Sequence, residues 1–323
     1  MPRTIVARVL AGAVLAPSVT IAIAQGYPSR PLRIVTTEAG GSLDFASRVI
    51  APTLANKLGQ PVIVENRGGA GGSLAIETVA KATADGHTML LYGSAFWILP
   101  ALRSKLPWHP LRDFAPITIA LASPHVLLVH ASVNAKSVKE LIDLAKARPD
   151  ELAYASAGTG STAHIATELL KGMAGIKLLH VPHKSGGPAL NSLLGGHEHM
   201  MIPPAGASVM SHVKTGRVRA LALTSAQPSP LWPELPTVAA SGVPGYEADT
   251  KIGIYLPART PVAIVERLHK EIVAIVTSAE AKVRYEQAAM DVVASMPDQA
   301  RQISQAEFNK MARVVKEAGI RGE

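Results

Sequence analysis

Four stretches place small and hydroxyl-bearing residues where a strand hands over to a helix: 40-GGSLD-44, 67-RGGAGGS-73, 93-GSAF-96 and 156-SAGTGSTAH-164. Glycine has no Cβ, so backbone N–H groups can approach a ligand closely there, and a helix N-terminus adds partial positive charge. Ser and Thr hydroxyls supply further donors. Such a set can hold carboxylate or phosphate oxygens without a fixed cation. One loop of this kind carries little weight, because glycine turns before helices are common. Four in one chain carry more.

Other chemistries fit the residues less well. The run Gly158-Thr-Gly160-Ser-Thr-Ala163 has the outline of a dinucleotide fingerprint, yet about twenty residues on the chain reads Lys177-Leu-Leu-His180 and offers no acid for a ribose. There is no G-x-x-x-x-G-K-[ST] phosphate loop and no G-x-S-x-G nucleophile elbow. Ser161 and His164 lie three apart and could share a helix face, but no triad acid is identifiable. Ser161 reads better as a helix N-cap or a ligand donor. Of the 11 histidines, His180-Val-Pro-His183 and His197-Glu-His199 come nearest to metal-ligand spacing. Neither matches H-E-x-x-H and no carboxylate-rich stretch lies beside them, so neither metal nor cofactor is expected.

The composition sets the frame around these loops. The chain has 323 residues, 48% hydrophobic but only 4% aromatic, which suits one large or two ordinary domains with aliphatic cores. Cysteine is absent, which removes thiol nucleophiles, thiolate metal sites and redox pairs. Residues 1–24 hold Arg3 and Arg8, no acid, an apolar stretch and Ala22-Ile23-Ala24, the pattern of a cleavable export signal. Cleavage near Ala24–Gln25 would leave a soluble periplasmic protein. The formal charge is +8, and removing Arg3 and Arg8 takes two from it, leaving +6. Lys and Arg are scattered with few aromatics among them, so nucleic acid is not an expected partner.

Periodicity supplies the elements that must position the loops. Strands are expected at 32–36, 62–65 and 88–92, alternating with helices at 44–58 and 75–84. The same grammar restarts with strands at 126–129, 152–155, 178–181, 200–202 and 219–223. Between them lie helices at 138–147 (N-capped by Ser137), 161–173, 188–194 and 209–214. A connection with five prolines, 227–248, breaks the alternation. A strand at 252–256, helices at 261–278 and 279–288, a strand at 292–295 and a helix at 297–318 complete the chain. This predicts an α/β protein with two lobes, each a mostly parallel sheet flanked by helices, and a ligand cleft between them.

The chain resembles the Bug receptors, the solute receptors of tripartite tricarboxylate transporters. The resemblance rests on the order and spacing of 40-GGSLDFASR-48, 59-GQPVIVENRGGAGGSLA-75, 85-DGHTMLLYGS-94, 154-YASAGTGSTAH-164, 180-HVPHKSGGPALNSLLGG-196, 216-GRVRALALTSA-226 and 233-PELPTVAASGVPGYEA-248. It implies a Venus-flytrap binding protein without catalysis. Residues 25–123 and 245–323 would form one lobe and 124–244 the other. It also implies a small organic acid as ligand, membrane transporter subunits as partners and a monomer. Matched positions point to Gly40, Gly41, Ser42, Asp44, Ser94, Ser156, Gly158, Thr159, Gly160, Ser161 and His164 as ligand-binding. Asp44 is expected to orient its loop, capping the next helix. Departures from the family pattern fall at Glu38, at His183 and at Pro203, which makes these three candidates for tuning specificity. Two rivals share the α/β plan: a ligand-sensing partner of a membrane signalling protein, and a hydrolase using Ser161 or Ser94.

Overall fold

A computed structural model describes residues 26–69, 72–103 and 105–320; the expected export signal, 1–24, lies outside the described residues. The chain begins with β1 (Leu32–Thr36), α1 (Ser42–Leu58), β2 (Val62–Asn66), α2 (Ser73–Ala80), β3 (Thr88–Tyr92), α3 (Ala95–Leu102) and β4 (Phe114–Ser123). There follow β5 (Val126–His130), α4 (Val138–Ala147), β6 (Ala153–Ser156), α5 (Thr162–Ala174), β7 (Leu179–Pro182), α6 (Gly186–Leu194), β8 (Met200–Met201), α7 (Ala207–Lys214) and β9 (Val218–Leu223). Then come β10 (Thr250–Pro257), α8 (Val262–Val276), α9 (Ala279–Gln287), β11 (Asp291–Val292) and α10 (Pro297–Glu317).

Two sheets result. The six-stranded one has the order β11-β4-β10-β3-β1-β2, and the five-stranded one β7-β6-β8-β5-β9. The parallel pairs are β1 with β2 and β3, and β6 with β7 and β8. These are the pairs that α1, α2, α5 and α6 can connect, because parallel neighbours need a crossover. The remaining pairs are antiparallel: β10 lies against β3 and β4, β11 against β4, and β5 against β8 and β9. Both sheets are therefore mixed: β10, returning from the other half of the chain, runs against β3 in the first, and β5 runs against β8 in the second.

Side-chain alternation divides the interior into layers. Along β5, Leu127 and Val129 join a core shared with α4 and α5, whereas Val126 and Leu128 face the core under α6 and α7. Along β3, Leu90 and Tyr92 point into that same shared core, and Met89 and Leu91 point toward α1 and α8. The shared core runs without a break from Phe96 and Trp97 to Leu169 and Leu170. It joins the two halves by burial of apolar surface.

Two elements exceed the sequence expectation. The β4 run FAPITIALAS is covered on both faces and shows no alternation to detect. The α3 run AFWILPAL is apolar all round, holds Pro100 and is largely buried, so it carries no amphipathic period.

Candidate functional site

The first loop, between β1 and α1, is held at both ends. The buried carboxylate of Asp44 accepts the Gly40 N–H (2.9 Å), the Arg48 Nε–H (3.0 Å) and an Asn66 amide hydrogen (2.9 Å). Asn66 also donates to the Thr37 carbonyl (3.0 Å). Its place is fixed by the register of β2, where Asn66 faces Thr36. The Arg48 hydrogen bond, with help from Gly40 and Asn66, holds the Asp44 carboxyl down at about 2. Asp44 thus orients the loop as expected, but by reaching back to Gly40 from the first turn of α1, whose N-cap is Gly41. The Gly40 N–H is spent on this latch. Gly41 and Ser42 remain exposed at the helix start, where N–H groups have no intrahelical partner.

The second loop, between β6 and α5, rests on a neutral aromatic stack. Ser161 caps α5, its Oγ accepting the His164 N–H at 3.3 Å. The Gly160 N–H donates to His164 Nδ1 at 2.9 Å, and Ser156 Oγ meets His180 Nε2 at 2.7 Å. The two imidazoles stack 3.9 Å apart and 10° from parallel, and the Tyr154 ring lies near both, 4.8 Å from His180 and 6.2 Å from His164. Tyr154 donates to Glu168, which also pairs with Lys171 Nζ at 2.7 Å. Burial first, then the neighbouring His180, pushes the His164 pKa down to about 4; burial likewise lowers His180. Both rings are thus neutral at pH 7, and His164 carries its proton on Nε2, since Nδ1 accepts.

Ser156 and His164 are accordingly buried supports beneath the loop. Thr159 is exposed at the tip, with Gly158, Gly160 and Ser161 partly exposed beside it. Gly158 and Gly160 have φ of 112° and 78°, in the left-handed region that glycine adopts without strain. A Cβ on Gly160 would lie 2.5 Å from Leu102 Cδ1, so the end of α3 packs directly on this loop. At its other end α3 follows Gly93, which sits against Leu43 of α1. The two loops are thus linked through one short helix.

The structure gives three expected site residues other work. Ser94 is buried, and its Oγ accepts the Lys251 N–H at 3.0 Å, fastening α3 to β10. His183 is turned to the buried Glu198, 3.1 Å from Nε2 to Oε1. Pro203 is buried and its carbonyl accepts the Val126 N–H at 2.9 Å. Glu38 stays exposed at the mouth, where its Oε1 accepts the Gly69 N–H at 3.3 Å. The sequence reading missed the roles of Asn66 and His180, which depend on strand register, and of Arg48, which pairs with Asp44 one turn away on α1; the run of Asn66 directly into RGG at the end of β2 was the available signal.

The passages between the halves are also tied together. The His125 N–H donates to Thr224 Oγ1 (2.9 Å) and His125 Nε2 meets Thr250 Oγ1 (3.0 Å), joining the outgoing and returning strands. Just beyond, Lys251 Nζ lies among Glu247, Asp249 and Glu307.

Two α/β halves, strands that cross between them and a glycine- and hydroxyl-rich loop on each half define a two-lobed binding protein. The chain belongs to the family described as "Tripartite tricarboxylate transporter family receptor", which matches residues 46–320. Members of this family are periplasmic receptors rather than enzymes, so the hydrolase alternative falls away. The protein BugT of Bordetella pertussis is 37% identical over 302 residues, covering 92% of each chain. Among solved structures, Rhodopseudomonas palustris Rpa4515 with adipate has a TM-score of 0.76 at 33% identity, covering 92% of this chain and 100% of that one. MatC from the same organism with bound malate has a TM-score of 0.70 at 28% identity, covering 90% and 100%.

Proposed function

We propose that this receptor closes its two lobes over a small organic carboxylate and passes it to the membrane subunits of a tripartite transporter. Gly41 and Ser42 at the start of α1 and Gly158, Thr159, Gly160 and Ser161 before α5 act as ligand donors. Asp44, Ser156 and His164 hold those donors in place. The lobes comprise 25–123 with 245–323, and 124–244, in line with which strands share a sheet. The mature protein works as a periplasmic monomer after removal of 1–24. The observation that carries this reading is the pair of donor loops, one on each half, with supporting side chains already in position; prior ordering lowers the entropy cost of binding. That small dicarboxylates occupy the related Rpa4515 and MatC supports the ligand class.

Calorimetry against a panel of small organic acids tests the proposal. One or more acids should bind at micromolar concentration or tighter, without turnover. Ser161→Ala should weaken that binding by about 1 kcal/mol if the hydroxyl donates to the ligand. Failure of every acid to bind would refute the function.

A further inference from the structure

The charge at the mouth of the first loop is unusual for an anion receptor. Glu38 lies three residues before Gly41 and is exposed. Its side chain folds onto the β2–α2 loop: a Cβ added to Gly68 would stand 2.8 Å from Glu38 Cγ, and the Gly69 N–H donates to Oε1. Among the described residues Glu38 has no ion pair. The cations closest in the chain have other acids, Arg48 with Asp44, and Arg67 and Arg33 with Glu65. The backbone on either side is fixed by the Asp44–Asn66 latch, so the carboxylate cannot leave the mouth by a shift of its loop. Its charge also reaches inward: after burial, Glu38 is the next cause raising the pKa of the Tyr92 phenol, with Arg103 acting in the opposite sense.

We infer that Glu38 is a specificity-determining residue, a resident carboxylate that takes the place of a second ligand carboxylate at the mouth of the cleft. The inference rests on the receptor function proposed above and narrows its ligand class. A monocarboxylate can engage the donor loops with its acid group while its other end lies toward Glu38. An ammonium or hydroxyl at that end gains a partner, a methyl group is tolerated, and a second carboxylate meets a like charge. For two charges about 8 Å apart the interaction changes an equilibrium by a factor of about 2 in water and about 30 at the effective dielectric of a protein surface. The preferred ligand is therefore an acid with one carboxylate and a neutral or cationic far end.

The test uses straight-chain acids of about four to eight carbons, each with a methyl, ammonium or carboxylate far end, titrated into wild type and Glu38→Gln by calorimetry. The amide oxygen of Gln can still accept the Gly69 N–H, and a thermal melt checks that the variant folds; Glu38→Ala serves as a second neutral variant. Wild type should prefer the ω-amino acid to the diacid of equal length by about tenfold or more. Both variants should reduce that ratio at least about fivefold, while binding of the plain monocarboxylate changes less than about threefold. Acids that bind with the same end-group ratio in wild type and variants overturn the role of Glu38 and leave the receptor function standing. Absence of binding by every acid to every protein overturns both.

Discussion

The neutral histidine stack makes the second donor loop sensitive to acid in a way that can be worked out from its geometry. His164 holds the Gly160 N–H on Nδ1 and lies 3.9 Å from the His180 ring. A proton on Nδ1 would expel that N–H, and a charge on either ring would face the other across the stack. Glu168 lies 3.9 Å from His164 Nε2 and is already engaged by Lys171 and Tyr154. With the pKa lowered from 6.5 to about 4, the unfolded chain binds the proton more readily than the folded one. Stability therefore falls as pH drops below 6.5 and stops changing below about 4. The full effect is about 3 kcal/mol, of which about 2 kcal/mol is lost by pH 5. Urea unfolding of wild type and His164→Gln between pH 7.5 and 4 isolates it. The Gln amide oxygen can accept the Gly160 N–H but does not titrate. His125, pushed down to about 4 by complete burial, titrates in both proteins and cancels. The difference in unfolding free energy should shift by about 2 kcal/mol toward the variant between pH 7 and pH 5. A flat difference would refute the neutral, proton-excluding stack.

Two further substitutions test the supports of the site. Asp44→Asn should destabilise by about 1 kcal/mol at pH 7 in chemical denaturation, since its partner Arg48 is half exposed and the pairing is screened. The wild-type advantage is present above the ordinary carboxylate pKa and disappears as pH falls through about 2, where Asp44 is protonated. Lys251→Met should cost more, about 3 kcal/mol, because it leaves the buried Asp249 without its cation, while Glu307 keeps Lys310 at 2.7 Å. Burial alone would lower the Lys251 pKa, yet the three carboxylates hold it well above its usual value. A loss below about 1 kcal/mol in urea unfolding would show that the cluster is not acting as a buried hub.

Sequence periodicity located most elements because their two faces meet different surroundings. The helix at Val138–Ala147 matches expectation to the residue, since Ser137 caps it and Leu141, Ile142 and Ala145 form one buried face. Where both faces are buried the signal vanishes, which hid β4 and the extent of α3. The donor loops were legible as glycine and hydroxyl runs at strand ends, but local sequence does not distinguish a donor from a support. Ser156 and Ser161 differ only in whether the side chain lies under or beside the loop, and that depends on where His180 arrives from β7. The setting of Ser94 was hidden for a similar reason: its partner, the Lys251 N–H, comes from a strand far along the chain.

The two halves repeat one topological unit. In one, β2-β1-β3 is flanked by the antiparallel β10; in the other, β7-β6-β8 is flanked by the antiparallel β5. The loops after β1 and after β6 therefore occupy equivalent positions. Their supports are chemically unlike: a charged latch of Asp44, Arg48 and Asn66 on one side, and a neutral stack of His164 and His180 on the other. One short helix touches both halves: α3 has Gly93 against α1 before its start and Leu102 against Gly160 at its end. Eight helical residues span about 12 Å. Ser94 fastens the same helix to β10 by accepting the Lys251 N–H. Gly160 permits the close contact at the other end, where any side chain would have to displace Leu102.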